Sequence, residues 1–200
     1  MKTIQGDDGR ARCAWCEAAD FPLYRHYHDT EWGYPVADET RLFEKLCLEG
    51  FQSGLSWRTI LTKREAFRVA FAGFDVARVA AFDEADIQRL LKDSGIVRHR
   101  GKIEATIGNA QALVALHNSG RSLAAMVWDH EEAPALPIVR SESAASQALS
   151  KQLKKVGFRF VGPTTCYAFM QAMGLVNDHA PDCWAREPAM RARAAFQVPT

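Results

Sequence analysis

The chain has no hydrophobic run long enough to cross a bilayer as a helix, which takes about 20 apolar residues. Its longest apolar stretch, around Cys166 to Val176, is interrupted by Gln171. The opening residues Met1-Lys2-Thr3-Ile4-Gln5-Gly6 lack the apolar core of a secretory signal. The expectation is a cytoplasmic protein with no membrane partner. Net charge is also nearly absent: 25 Lys+Arg against 24 Asp+Glu give +1. Bulk attraction to nucleic acid is therefore excluded, and any such binding must come from a local basic patch. No glycine-rich phosphate loop, G-x-S-x-G elbow or H-E-x-x-H motif is present, which removes common nucleotide, hydrolase and protease readings. A disulfide framework is lacking too. Cys13, Cys16, Cys47, Cys166 and Cys183 are odd in number and scattered, which fits core thiols or metal ligands in a reducing compartment. Cys13-Ala14-Trp15-Cys16 matches C-x-x-C, but no strand precedes it, so a redox motif is a weak reading.

What remains is an ordinary globular composition, 48% apolar and 24% charged over 200 residues, enough for one compact domain or two small lobes. Capped starts and glycine stops give a succession of helices. Asp38 opens one whose Leu42, Phe43, Leu46 and Cys47 recur at helical spacing, with Gly50 as its stop. Ser56 caps the next, lined by Ile60, Leu61, Phe67 and Phe71 and ending by Gly73. A short turn follows from Val76, then a helix opened by Asp83 and Asp86 and ended by Gly95. A longer helix runs from His99 to Asn118, and Ser122 caps a brief element. Residues 131–143, with Pro134 and Pro137, read as a surface loop. Ser143 starts another helix, and Pro163 suits the first position of the next. Phe158 to Val161 alternates weakly, as a strand would, without an obvious partner. The fold class is all-α, with 1–11 a flexible N-terminus and 186–200 an Arg/Ala-rich tail, frayed or helical.

Three constellations could carry chemistry. Glu49 falls at the end of the Asp38 helix, where an acid faces the negative end of the macrodipole at a cost of a few tenths to about 1 kcal/mol. Trp57, after the small-residue linker Ser53-Gly54, could offer a ring face beside that carboxylate. Such a pair suits a flat, electron-poor ligand. Taken alone, the segment reads more simply as a solvated Glu49 and a core Trp57. In the second, Gly95 sits in a tight turn between two helices, followed by Val97, Arg98, His99, Arg100 and Lys102. Backbone N–H groups at such a helix start can hold a phosphate without reading sequence. In the third, Cys13 and His28 could join His179 and Cys183, a His-x3-Cys pair, as a Cys2His2 zinc set that clips the two ends of the chain. Spacing leaves His26, Cys16, Asp178 and Asp182 as rival ligands. Tyr24, Tyr27, Trp32 and Tyr34 add aromatic density around His28.

The strings Arg12-Cys13-Ala14-Trp15, Tyr27-His28-Asp29-Thr30-Glu31-Trp32-Gly33, Leu48-Glu49-Gly50, Gly54-Leu55-Ser56-Trp57, Ser94 to Ile103, Gly157 to Gly162 and Gly174 to His179 resemble, in order, the DNA-3-methyladenine glycosylase I family of bacteria. They span Arg12 to Cys183. The resemblance implies a helix-hairpin-helix glycosylase, a single domain of two lobes over 12–185, that removes 3-methyladenine from alkylated double-stranded DNA as a monomer. It implies a single structural zinc on Cys13, His28, His179 and Cys183. It assigns Glu49 and Tyr27 to catalysis and Trp57 and Tyr24 to the base. Gly54 and Leu55 become the linker that fills the gap left by the extruded base, and Gly95, Val97, Arg98, Arg100 and Lys102 become DNA contacts. Cys16 and the tail beyond Arg186 depart from the family pattern. Outside the resemblance, the residues also admit a non-enzymatic zinc-stabilised DNA-binding module, or a zinc hydrolase with an open metal position.

Overall fold

The local signals for helix starts are realised atom by atom. The Asp38 carboxylate accepts from the Arg41 N–H at 2.8 Å, Ser56 Oγ from Thr59 N–H at 3.2 Å, and Asp83 and Ser143 each complete a capping box. The computed structural model describes residues 2–17, 21–133 and 135–200. In it, a short strand pair, β1 (Thr3–Gln5) and β2 (Ala11–Cys13), leads into α1 (Ala14–Glu17) and α2 (Pro22–Thr30). Then come α3 (Glu39–Gln52), α4 (Trp57–Ala70), a 3-10 turn (Ala72–Phe74), α5 (Val76–Ala80), α6 (Glu84–Lys92) and α7 (Arg100–Asn118). The chain finishes with α8 (Leu123–Trp128), α9 (Ala144–Lys155), α10 (Pro163–Ala172) and α11 (Arg186–Ala195).

The molecule is thus mostly helical, and the all-α expectation is corrected by one small antiparallel sheet. Thr3 pairs with Cys13, Ile4 with Arg12 and Gln5 with Ala11, so residues 3–5 are strand where the sequence suggested a flexible N-terminus. A three-residue strand is too short to show a period, and its partner is fixed by the buried Arg12 and Cys13 it carries. Phe158 to Val161 forms no strand. The loop expected over 131–143 holds for its described residues; Pro134 lies outside them. The tail is helical through Ala195, and Phe196 packs its ring 4.6 Å from that of Trp128.

A second correction concerns α3, which runs through Gly50 to Gln52. A mid-helix glycine costs up to about 1 kcal/mol relative to alanine. Here a Cβ on Gly50 would stand 3.3 Å from that of Phe160, so close helix–loop packing accounts for the residue. The helices bury a core that includes Leu42, Phe43, Phe51, Phe67, Phe71, Leu113 and Phe169, with α3 packed against α4, α7, α8 and α10. A second, small cluster gathers Cys13, Ala180, Cys183 and Ala185 with Trp15, Trp32 and Trp184. No helix among the described residues is long and apolar enough to cross a membrane.

Candidate functional site

The helix α2 places consecutive side chains in two different sites. Tyr27 is buried toward α3, and His28 is buried toward the chain ends.

On the Tyr27 side, α3 contributes Lys45 and Glu49, and the start of α4 contributes Trp57. The Tyr27 and Trp57 rings lie 5.4 Å apart at 44°. Glu49 is 5% exposed, neither solvated nor alone: the Lys45 ammonium sits 2.6 Å from its carboxylate. The same ammonium donates to the Tyr27 hydroxyl at 2.9 Å and lies 3.2 Å from the centroid of the Trp57 ring. Burial, first of all, pushes the Tyr27 phenol well above its ordinary pKa, with Glu49 adding to the effect, so Tyr27 is a neutral phenol there. Burial pulls Lys45 down, and Glu49 opposes that pull. The indole N–H of Trp57 is buried with no hydrogen-bond partner among the described residues. Tyr24, one turn earlier on α2, is half-buried and packs edge-on to Trp15 at 5.2 Å. Sequence reasoning missed Lys45. The available signal was its position four residues before Glu49, a spacing that puts both on one helix face. The penalty for Glu49 near a helix end is thereby offset by a cation.

The linker beyond α3 stands out from the surface. Gly54 adopts φ 81 with open space around it, and Leu55 is 44% exposed. The turn between α6 and α7 is equally tight. Gly95 donates its N–H to Asp93 at 2.7 Å, and a Cβ there would come within 2.9 Å of Ala66. Val97 is half-buried, and Arg98 is exposed with no ion-pair partner among the described residues. Two of the five residues expected to meet DNA here are already engaged. Lys102 is only 8% exposed and donates to the carbonyls of Phe51 at 2.8 Å and Ser53 at 2.6 Å. Its ammonium closes the C-terminus of α3 rather than standing free for a phosphate. Arg100 pairs with Glu84 at 2.7 Å and Glu104 at 3.1 Å, which cancels much of the charge it would offer a phosphate.

On the His28 side, Cys13, His28, His179 and Cys183 are all buried, and their donor atoms lie within 4.8 Å of one another. His28 Nε2 is 3.2 Å from His179 Nδ1 and 3.4 Å from Cys183 Sγ, and His179 Nδ1 is 3.9 Å from Cys13 Sγ. Tetrahedral bonds of about 2.3 Å to sulfur and 2.0–2.1 Å to nitrogen would place donors at comparable separations. The other ring nitrogens are already engaged: His28 Nδ1 with Asp29 at 2.8 Å, and His179 Nε2 with the Trp32 carbonyl at 2.9 Å. That leaves Nε2 of His28 and Nδ1 of His179 facing the centre, the orientation a metal needs. Asp29 is held in turn by the buried Arg12, with Nε at 2.9 Å. Cys183 Sγ also lies 3.6 Å from His179 Nδ1, so both thiols face the imidazole nitrogens at the centre of the cluster. The cluster can bind a metal ion. Cys16 is outside it, donating to the Cys13 carbonyl at 3.1 Å, with burial pushing its thiol up to about 12. His26, Asp178 and Asp182 are not members. Trp15 meets the His28 ring edge-on at 5.3 Å, and Trp32 meets His179 at 4.7 Å, so the metal cluster and the Tyr27 pocket share one aromatic wall.

Comparison with known proteins identifies the family. The chain is 51% identical over 179 residues to DNA-3-methyladenine glycosylase 1 of Escherichia coli (strain K12), covering 86% of this chain and 95% of that one. It superposes on a crystal structure of 3-methyladenine DNA glycosylase I with a TM-score of 0.83 at 50% identity, covering 86% of this chain and 98% of the other. A substituted 3-methyladenine DNA glycosylase I in complex with 3-methyladenine gives a TM-score of 0.81 at 35% identity, with coverage of 88% and 97%. The pattern of the Methyladenine glycosylase family matches residues 15–187, and the chain belongs to that family.

Proposed function

We propose that this protein is a monofunctional DNA glycosylase that hydrolyses the N-glycosidic bond of 3-methyladenine in alkylated DNA, the first step of base excision repair. The observation that carries the reading is the grouping of buried Tyr27 and Glu49 with the partly buried Trp57 within a chain of this family. Alkylation at N3 makes the base cationic while it is bonded to deoxyribose and neutral once it leaves. The leaving group is therefore intrinsically good, and the protein's work is to extrude, select and hold it. A damaged base costs less to unstack than a normal one, so part of the selection is present in the duplex.

In this reading the extruded ring stacks on Trp57, an aromatic–cation contact of about 1–2 kcal/mol when desolvated. Glu49 accepts hydrogen bonds from the purine edge and opposes its charge. Tyr27, kept neutral by burial, adds a hydroxyl contact, and Tyr24 supports the wall through Trp15. Water attacks C1′ as the C1′–N9 bond breaks; the bonding pair leaves with the base, which departs as neutral 3-methyladenine, and the proton lost by the water passes to solvent. Leu55, exposed beside Gly54, fills the gap in the duplex, as apolar wedges do. Double-stranded DNA docks on the turn that follows Gly95, through the backbone N–H groups of Val97 and Arg98, with the Arg98 side chain beside a phosphate.

Cys13, His28, His179 and Cys183 would hold a single structural zinc. Bound there, the ion supplies folding energy rather than a water nucleophile, since four protein ligands close a tetrahedral site. The protein acts as a monomer in the bacterial cytoplasm.

The test is incubation with methylated duplex DNA and chromatography of the released bases. Release of 3-methyladenine is expected, and Glu49→Gln should lower it by about 100-fold, equivalent to about 2.7 kcal/mol of transition-state stabilisation. Absence of 3-methyladenine from the wild-type products would defeat the assignment. Full activity and selectivity in Glu49→Gln would remove the carboxylate from its role.

A further inference from the structure

The Lys45 ammonium makes three contacts at once: the face of Trp57 at 3.2 Å, the Tyr27 hydroxyl at 2.9 Å and the Glu49 carboxylate at 2.6 Å. An aromatic face, a phenol and a carboxylate are the groups assigned above to a cationic purine. Lys45 is 6% exposed, and the open space beside it, bounded by Tyr27, Glu31, Lys45, Trp57 and Arg64, is about 20 Å³. That is room for about one water molecule and far too little for a purine. A purine cannot stack on the Trp57 face that the ammonium covers while the ammonium stays where it is. Two cations also cannot share the Glu49 carboxylate without repulsion in a buried setting.

Lys45 has somewhere to go. Its stem is a flexible chain of four carbons, and on the open side lie two acids whose present partners are arginines. Glu31 is paired with Arg64 at 2.7 Å, and Glu44 with Arg68 at 2.9 Å. Moving past the Trp57 edge toward these carboxylates would keep the ammonium partnered and clear the ring face.

From this we infer that Lys45 is an internal occupant of the base pocket, which any extruded base must displace, so that only a base held strongly by Glu49 and Trp57 gains entry. A cationic alkylated purine restores to Glu49 and Trp57 the positive charge that Lys45 withdraws. A neutral, undamaged purine offers no such replacement and is rejected by the ammonium's return. The inference rests on the pocket assignment made under the proposed function, and its test separates the two.

Lys45→Met and Lys45→Gln remove the competing cation, the second keeping a polar end for Tyr27. Both should bind 3,9-dimethyladeninium, a free base that keeps the positive charge 3-methyladenine carries in DNA, at least about tenfold more tightly than the wild type in calorimetric titration. In the wild type, saturating 3,9-dimethyladeninium should make Lys45 several-fold more reactive to an amine-acylating reagent, read by peptide mass spectrometry. Melting curves check that each variant folds. Unchanged or weaker binding by both folded variants overturns the inference, as does a Lys45 acylation rate that 3,9-dimethyladeninium leaves unaltered or lowers. Trp57→Ala supplies the separation. If it binds the base like the wild type, the pocket assignment and the role of Lys45 both fall. If it loses binding while the Lys45 variants match the wild type, the pocket stands and only the role of Lys45 is lost.

Discussion

Lys102 donates to the Phe51 carbonyl at 2.8 Å, and this bond ties the start of α7 to the end of α3. The same ammonium reaches the Ser53 carbonyl at 2.6 Å, so a single side chain satisfies two of the acceptors that a helix C-terminus leaves open. Lys102→Met should therefore destabilise the fold by about 2–4 kcal/mol, since hydrogen bonds from charged groups are worth about 1.5–3 kcal/mol each and the carbonyls would be stranded. Denaturant unfolding measures this. The salt dependence of DNA binding should not change, and a reduced slope in a folded Lys102→Met protein would return the residue to the DNA contacts.

Arg98 is the opposite case. It is exposed at the hairpin turn and makes no ion pair among the described residues. Arg98→Ala should leave stability within about 0.5 kcal/mol of the wild type, as surface substitutions do. Its effect belongs in DNA binding, with affinity weakened across all sequences and the slope of log K against log salt reduced by about 0.9 for one lost phosphate contact. A fluorescence-anisotropy salt series on a short duplex reads this directly. An unchanged slope would mean that DNA does not reach this arginine.

The contrast between these two residues shows what the sequence carried. Helix starts at Asp38, Asp83 and Ser143 were legible because an N-cap is a local device, complete within four residues. The donors Cys13, His28, His179 and Cys183 were legible as a set only through the family pattern, because their meeting point depends on the packing of α2 against both chain ends. The engagement of Lys102 with α3 was not legible, because a basic residue at a helix start looks alike whether it points to solvent or to a neighbouring helix. Gly50 was misread as a stop for a similar reason. Its lack of a side chain serves the contact with Phe160, which no local rule anticipates. Lys45 escaped notice although its spacing to Glu49 was in view, since spacing cannot say that both will be buried against Trp57.

Because His28 and Tyr27 are adjacent on α2, metal removal should act on two observables together. Chelation should lower the melting temperature, since metal binding at a structural site is folding free energy. It should also weaken 3-methyladenine binding, as α2 loses the anchor that fixes Tyr27 beside Trp57. Metal analysis of untreated protein should find zinc, and Cys183→Ser should reproduce the effect of the chelator. A protein that keeps its melting temperature on chelation but loses base release would indicate a metal acting in the chemistry.

The Glu84–Arg100 pair gives the clearest pH dependence. Hydrogen bonds from Arg100, foremost, and from Gln88 hold the Glu84 carboxyl down to about 2, below its ordinary value of 4.5. A carboxyl depressed in the folded state adds stability that is fully present above the unfolded value and is lost as pH falls through the folded one. The contribution of this pair should thus be intact above roughly pH 5 and fade toward pH 2. Being a surface pair, its size is small. Melting temperatures of wild type and Glu84→Gln should differ most above pH 5 and converge on acidification. The same substitution frees Arg100, since only the weaker contact to Glu104 remains. Near neutral pH, Glu84→Gln should bind duplex DNA more tightly, with a steeper salt dependence, at some loss of stability. A variant that melts lower but binds DNA with an unaltered salt slope would show that Arg100 serves only to join α6 to α7.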